Sequence, residues 1–294
     1  MSQAEGSYYL PEPSKWPLVG SIGLFLTTGG FAYALTSGVD GQMGNTMIMY
    51  AGFLVLAYML FGWFGQVIDE SEAGKYDAQV DTSFRMGMMW FIFSEVMFFA
   101  AFFGALFYAR QLAGPWLGGE GNNAMTNALL WTDFKFEWPL LNVPGEGYDT
   151  PKGTIGAWGV PFYNTLILLT SGLTVTWAHW GLKKDNRKQL IIGLALTVAL
   201  GFIFVLMQAE EYIHAYTELN LKLSSGTYGS TFFMLTGFHG LHVTIGAIML
   251  LVMLIRSIKG HFTAKHHFAF EAAAWYWHFV DVVWLGLFVV VYWL

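Results

Sequence analysis

Ionisable side chains stand inside otherwise apolar stretches of this sequence at four places. The stretches are FIFSEVMFFAAFF, MQAEEY, TGFHGLH and WYWHFVDVVW, and the residues are Glu95, Glu210, Glu211, His239, His242, His278 and Asp281. Ionisable groups are costly in hydrocarbon, so inside a membrane they usually face protein or water and serve packing, proton transfer or transport. These side chains are therefore the first candidates for chemistry in this chain.

The carboxyl groups allow two interpretations each. Glu95 is either a buried, protonated acid that is hydrogen-bonded to a neighbouring helix, or a group that handles protons. Glu210 and Glu211 stand near the end of an apolar segment, where they are expected to reach the outer interface. Glu211 is also a candidate member of a structural polar network.

The histidines favour packing over metal binding. His239 and His242 share one helix face, but an HxxH pair supplies only two ligands and is expected to hydrogen-bond across helices. His278 and Asp281 are one helical turn apart, and we expect them to be buried, paired and important for helix packing. His239, His242, His278, Asp281 and Glu211 together form the predicted structural network, and no metal site and no catalytic residue are expected.

The composition indicates a membrane protein. The chain has 294 residues, of which 55% are hydrophobic and 12% charged, whereas soluble domains carry about 25% charged residues. Its mean hydropathy is +0.48. The absence of cysteine excludes disulfides, thiolate metal sites and iron–sulfur clusters, and a net charge of −6 without a basic patch argues against nucleic-acid binding.

Seven segments are long and apolar enough to cross a membrane as helices. They are residues 16–36, 46–66, 84–109, 159–180, 190–213, 229–256 and 273–294. The predicted fold is therefore an all-α integral membrane protein, with 1–294 as a single membrane domain. A long outer loop, 110–158, follows the third span.

The distribution of basic residues predicts the orientation. With the N-terminus inside, ten of the 14 Lys and Arg residues fall on the inner side, as the positive-inside rule requires. Seven crossings then leave the C-terminus outside. The inner segment RSIKGHFTAKHHFAFEA, residues 256–272, carries Arg256, Lys259 and His261, which are either solvated or bound to lipid headgroups.

Three longer stretches carry a family resemblance. SEVMFFAAFF (94–103), YGSTFFMLTGFHGLHVTIG (228–246) and HHFAFEAAAWYWHFVDVVW (266–284) resemble cytochrome c oxidase subunit III, and DNRK (185–188) and TWAH (176–179) agree. The resemblance runs in order from about Trp16 to the C-terminus, apart from the loop 110–158.

The resemblance implies an accessory subunit of an aa3-type oxidase in aerobic respiration. Its seven helices would form two bundles, helices 1–2 and helices 3–7, with a V-shaped cleft that holds phospholipids. The chain would bind no haem or copper, which reside in partner subunits. It would pack directly on subunit I, beside subunit II and small subunits, in a complex that takes electrons from cytochrome c. It would support proton uptake and protect the oxygen-reducing site from inactivation.

The resemblance also assigns residues. Glu95 matches the carbodiimide-reactive acid of the family. The family's lipid contacts fall on Arg85, Arg256, Lys259, His261, Trp63 and Glu70. In WFGQVIDESEAGKY, however, Gly65 and Asp69 stand where the family often has arginines, which leaves the headgroup preference open.

The expected compartment is a bacterial inner membrane, with a cytoplasmic N-terminus and a periplasmic C-terminus. The loop 110–158 is longer than in the mitochondrial pattern, which makes the mitochondrial inner membrane the second choice. The N-terminus lacks the features of a signal peptide.

Three alternative functions stay open at this point. Subunit III of a quinol oxidase is similar, although seven spans favour the cytochrome c branch. A stand-alone proton or solute transporter would use the intramembrane acids as relays, but the chain lacks the internal repeat typical of transporters. A haem enzyme would depend on His239, His242 and His278, which are too few for a haem–copper centre but enough for one haem.

Overall fold

The computed structural model describes residues 9–38, 42–143, 145 and 147–294, and within them every regular element is helical. The α-helices are α1 Trp16–Thr36, α2 Met47–Glu72, α3 Ala78–Tyr108, α4 Gly114–Leu117, α5 Ala124–Leu130, α6 Val160–Lys183, α7 Arg187–Thr217, α8 Gly226–Lys259 and α9 Phe268–Leu287. Short π-helical turns, Ala109–Ala113 and Phe288–Trp293, continue α3 and α9. The prediction of an all-α fold is confirmed.

Six helical segments of the described chain are long and apolar enough to cross a membrane, namely those of α1, α2, α3, α7, α8 and α9. The remaining long helix, α6, has 24 residues and therefore spans about 36 Å, which is sufficient for a bilayer. The chain is thus a multi-pass membrane protein.

Helix α6 is less apolar than its neighbours. Several of its polar side chains face the interior of the protein and not the lipid. Ser171 is fully buried and accepts a hydrogen bond of 2.9 Å from Nε1 of Trp277 on α9. Thr165 accepts a second bond of 2.9 Å from Nε1 of Trp284. These bonds satisfy indole N–H groups that hydrocarbon could not satisfy.

The described residues up to Phe84 form one compact unit. In it, α1 and α2 approach closely because glycines stand at their contact. A Cβ on Gly30 would lie 2.3 Å from the backbone nitrogen of Met49, and one on Gly52 would lie 2.4 Å from that of Thr27. Small residues permit such contact between membrane helices, where van der Waals packing drives association.

Arg85–Leu294 form a second compact unit, which contains α4 to α9 and most of α3. Its core is aromatic, with Trp277, Trp284, Phe204 and Phe270 fully buried. The glycines of α7 and α8 admit the largest ring, since Cβ atoms on Gly201 and Gly246 would lie 2.7 and 2.8 Å from Trp277. The first unit contains α1 and α2 and ends at Phe84, so most of α3 belongs to the same unit as the later helices.

The end of the outer segment is attached to the turn between α7 and α8. The backbone nitrogen of Lys152 donates to the carbonyl of Leu219 at 2.8 Å. Asp149 accepts a hydrogen bond from Ser224 and lies 3.5 Å from Nζ of Lys222. These bonds hold the segment in place before α6 begins.

Candidate functional site

The acid at the middle of α3 is paired with a histidine on α8. Oε2 of Glu95 lies 2.8 Å from Nε2 of His242, and both side chains are largely shielded, with exposures of 22% and 11%. The ring of Phe99 packs against the imidazole, with centroids 5.0 Å apart. The pair therefore lies in a mainly apolar setting inside the second unit.

The second nitrogen of His242 determines how this pair shares its proton. Nδ1 lies 2.6 Å from the carbonyl oxygen of Phe238, to which only an N–H can donate. In a neutral imidazole, Nε2 is then an acceptor, so Glu95 must be protonated and donate. If the proton moves to Nε2, the same contact becomes a carboxylate–imidazolium pair. In either arrangement one proton lies between the two side chains and so links the two helices.

His239 joins α8 to α9. It is 1% exposed, and its Nε2–H donates to the carbonyl of Val280 at 3.2 Å. Its ring lies against that of Trp284, with centroids 5.0 Å apart. His239 and His242 therefore bond in different directions, one to α9 and one to α3, as cross-helix links would.

His278 and Asp281 are neighbours, but their contact is loose. Nδ1 of His278 lies 3.6 Å from Oδ2 of Asp281, which is long for a hydrogen bond. Asp281 is 7% exposed, whereas 45% of the His278 side chain is exposed. Nε2 of His278 instead lies 3.2 Å from the hydroxyl of Thr176 on α6. The aspartate is buried as expected, and the histidine lies at the bundle surface.

The two adjacent glutamates of α7 have different surroundings. Glu210 is exposed, as expected of a group at the interface, but Glu211 is 3% exposed. Oε1 of Glu211 accepts hydrogen bonds from the hydroxyl of Tyr292 at 2.6 Å and from Nε2 of Gln208 at 3.0 Å. The bond to Tyr292 links α7 to the end of the chain.

Three of the predicted lipid contacts lie together at the C-terminal end of α8. Arg256 is 7% exposed, and its guanidinium lies 4.6 Å from the ring centre of Phe262. Lys259 is exposed and His261 half-buried. The helix ends at Gly260, whose φ of 83° is left-handed, and the backbone nitrogen of His261 then donates to the carbonyl of Arg256 at 3.1 Å.

The other candidate lipid contacts have protein partners. Nη1 of Arg85 donates to Oε2 of Glu271 at 2.5 Å. In the first unit, Glu70 accepts hydrogen bonds from Gln66 at 2.9 Å and from the hydroxyl of Tyr76 at 2.8 Å. Trp63, in the same unit, is 46% exposed. The charges of Arg85 and Glu70 are therefore at least partly used within the protein.

One polar cluster was not predicted from the sequence. His179 of α6 meets His267 and Glu271 at the start of α9, with the nearest ligand atoms within 4.8 Å of one another. The spacing of His267 and Glu271, four residues apart at a helix start, was a signal for two of its three members. The sequence carries no local signal for His179, which joins them through the packing of α6 on α9.

Comparison with known proteins identifies the family. The family model described as "Cytochrome c oxidase subunit III" matches residues 6–144 and 147–294. Proteins named cytochrome c oxidase subunit 3 from Pongo abelii and Carassius auratus are each 42% identical, over 296 and 294 residues. The Homo sapiens protein of that name is 41% identical over 299 residues. Each comparison covers 100% of this chain and 99% of the relative. The chain belongs to the cytochrome c oxidase subunit III family and is a membrane subunit of a respiratory oxidase.

Proposed function

We propose that this chain is the accessory, non-redox subunit of an aa3-type cytochrome c oxidase. It packs on subunit I, holds phospholipid, supports proton uptake and protects the oxygen-reducing site during turnover. The observation that best supports an accessory role is that the carboxyl groups of Glu95 and Glu211 are hydrogen-bonded to side chains of this same chain. Groups bonded in this way fix the packing of helices and hold protons locally.

Two of the three intramembrane histidines, His239 and His242, support a non-redox role. His242 uses both ring nitrogens, on Phe238 and Glu95, and His239 donates to Val280. A haem ligand needs a free ring nitrogen that faces a space as wide as a porphyrin. Nδ1 of His239 has no partner among the described residues, but the ring lies against Trp284 and is fully buried, as in a cross-helix link.

The proposed lipid contact is the end of α8. Lys259 is exposed, so its ammonium can reach a phosphate, and Arg256, one helical turn earlier, places its guanidinium 4.6 Å from the ring centre of Phe262. Cationic pockets at membrane surfaces bind lipid headgroups. Arg85 is a weaker candidate because Glu271 already neutralises its charge. Trp63 and Glu70 remain proposed contacts in the first unit.

The proposed role in proton uptake depends on Glu95 and His242. A pair that shares one proton between an acid and an imidazole can accept or release it with little rearrangement. The proposed setting is a bacterial inner membrane with the N-terminus in the cytoplasm, which the distribution of Lys and Arg supports.

The test is affinity purification through a tag on this chain from its native membrane, followed by visible spectroscopy of the complex. We expect haem bands in the complex, and oxidation of reduced cytochrome c but not of quinol. Removing this chain should leave the haem bands unchanged, slow proton uptake and shorten the turnover lifetime. Purification of the chain alone, or a complex that oxidises only quinol, would contradict the proposal.

The lipid assignment has its own test. Phospholipid that copurifies with the complex is quantified by mass spectrometry for the wild type and for the double variant Arg256→Ala with Lys259→Ala. We expect at least one tightly held phospholipid to be lost. The matched control is Lys188→Ala, which removes an exposed cation at the start of α7. Equal lipid content in all three proteins would refute the assignment.

A further inference from the structure

Three potential ligand atoms converge where α6 ends and α9 begins. Nε2 of His179 lies 3.4 Å from Nε2 of His267 and 3.5 Å from Oε1 of Glu271. Nε2 of His267 lies 3.3 Å from the same Oε1. The three atoms thus form a nearly equilateral triangle.

The size of the triangle is the size of one face of a small tetrahedral metal site. Zinc binds histidine nitrogen at about 2.0–2.1 Å and carboxylate oxygen at about 2.0–2.2 Å. In a tetrahedron the distance between two ligands is about 1.63 times the metal–ligand distance, which gives about 3.3–3.5 Å for these bond lengths. All three measured distances lie in that range.

The groups behind the triangle orient its atoms correctly. Nδ1–H of His267 donates to the carbonyl of Thr263 at 3.0 Å, which leaves the lone pair on Nε2 directed at the other ligands. The two oxygens of the Glu271 carboxylate have different partners. Oε2 accepts a hydrogen bond from Arg85, and Oε1 faces the two histidines. Hydrogen bonds of this kind, from carbonyls and charged groups, fix metal ligands in place.

The three ligand atoms of the cluster favour the binding of a cation between them. A carboxylate oxygen and two imidazole nitrogens are all acceptors when the imidazoles are neutral, so they repel one another at these distances unless a proton or a metal lies between them. Two nitrogens and one oxygen suit Zn²⁺, which also needs no particular electronic geometry.

We propose that His179, His267 and Glu271 bind one Zn²⁺, with water as the fourth ligand. The exposed fractions of these side chains are 19%, 9% and 13%, which is enough for an ion and one water to enter from the surface. The metal joins the end of α6 to the start of α9. It is a structural or regulatory ion with no part in electron transfer, and the assignment does not depend on the proposed lipid or proton roles.

The test counts zinc in the intact oxidase complex. The complex is stripped with a chelator, dialysed against ZnCl₂ in metal-free buffer, and analysed for zinc per complex by mass spectrometry. We expect His179→Gln, His267→Gln and Glu271→Gln each to hold one zinc fewer than the wild type. His266→Gln is the matched control, since His266 is the exposed neighbour of His267, and it should match the wild type. The same zinc content in every protein would overturn the proposal.

A second measurement needs no substitution and so does not depend on how the variants assemble. Diethylpyrocarbonate modifies accessible imidazoles, and the modified peptides of the wild-type complex are quantified with and without ZnCl₂. We expect zinc to reduce the modification of His179 at least tenfold and to leave that of His266 unchanged. Equal modification of His179 under both conditions would contradict the site, even if a variant had lost zinc through disassembly.

Discussion

Nε2 of His242 on α8 lies 2.8 Å from Oε2 of Glu95 on α3, although the two residues are 147 positions apart in the chain. The bond is a polar link between these helices, and it lies among aromatic rings. A hydrogen bond in such surroundings is costly to break because water cannot replace the lost partner.

The first prediction concerns this pair. In Glu95→Gln the amide can still donate to His242. The free energy that holds the subunit in the complex should therefore change by less than about 1 kcal/mol. In Glu95→Leu the imidazole loses its partner, and a loss of about 1–3 kcal/mol is expected. Thermal dissociation of the subunit in detergent measures both. Oxygen reduction should persist in Glu95→Gln, and its complete loss in an intact complex would contradict the accessory role.

A second prediction addresses the buried carboxyl of α7. Tyr292→Phe removes the hydroxyl that donates to Glu211 at 2.6 Å and leaves the carboxyl with Gln208 alone. The free energy of unfolding should fall by about 1–3 kcal/mol. Tyr163→Phe is the control because Tyr163 is 60% exposed. An equal effect of the two substitutions, measured by thermal denaturation, would show that the Glu211 bond contributes nothing.

The polar face of α6 provides a third prediction. Ser171→Ala deprives the indole N–H of Trp277 of its acceptor inside a fully buried site. We expect a loss of about 1–3 kcal/mol in stability, together with a shift in the ultraviolet resonance Raman band that reports indole hydrogen bonding.

Thr170→Val is the matched control for that substitution. Thr170 precedes Ser171 but is exposed, and its hydroxyl donates to the carbonyl of Leu166 in its own helix. Its replacement should leave both the Raman band and the stability nearly unchanged. A band that fails to move in Ser171→Ala would refute the assigned bond.

Adjacent glycines of α1 allow a fourth prediction. Gly30→Ala would bring a methyl group 2.3 Å from the backbone of Met49, so α1 and α2 must separate, at a cost of about 1–3 kcal/mol. Gly29→Ala meets nothing within 4 Å and should be neutral or slightly stabilising. Thermal unfolding of the two variants compares them directly. A stable Gly30→Ala would mean that the helices are not in close contact.

A fifth prediction concerns pH at the outer segment. The hydrogen bond from Ser224 and the nearby Lys222 lower the pKa of Asp149 below its ordinary value. Because the pKa is lower in the folded state, the stabilisation is present above the unfolded pKa of about 3.9. It is lost as the pH falls through the folded pKa.

Hydrogen exchange of the Lys152 amide, which donates to Leu219, measures this effect. At pH 6 the wild type should be better protected than Asp149→Asn, and the two should converge as the pH falls below 3.9. Because the wild type and Asp149→Asn are compared at the same pH, the intrinsic pH dependence of the exchange rate cancels. Equal protection at pH 6 would exclude a contribution from the charge of Asp149.

The fold class could be predicted from the sequence because hydropathy and helix length depend on the local composition. Helix starts were harder to place. The third span was expected at 84–109, whereas α3 begins at Ala78, where Oδ1 of Asp77 accepts from the backbone nitrogen of Val80 at 2.8 Å. A cap of this kind extends a helix beyond its apolar part.

The types of the candidate site residues could also be predicted, but their partners could not. Which side chain Glu95 meets depends on how α3 and α8 rotate about their axes, and a pattern of apolar residues on all sides does not determine a rotation. The partners of His179, which stands near a helix end, could not be predicted for the same reason. Its partners are 88 and 92 residues away, on α9.

The polar interior of α6 also bears on how the chain enters the membrane. Alone in lipid, α6 would expose Asn164, Thr165 and Ser171, which are buried in the folded protein. Its neighbours α7 and α8 are more apolar and can insert independently, whereas the indole groups that bond Ser171 and Thr165 are on α9, 106 and 119 residues later in the chain. Stable insertion of α6 is therefore expected to follow the synthesis of α9, and a chain truncated before α9 should leave α6 poorly anchored in the membrane.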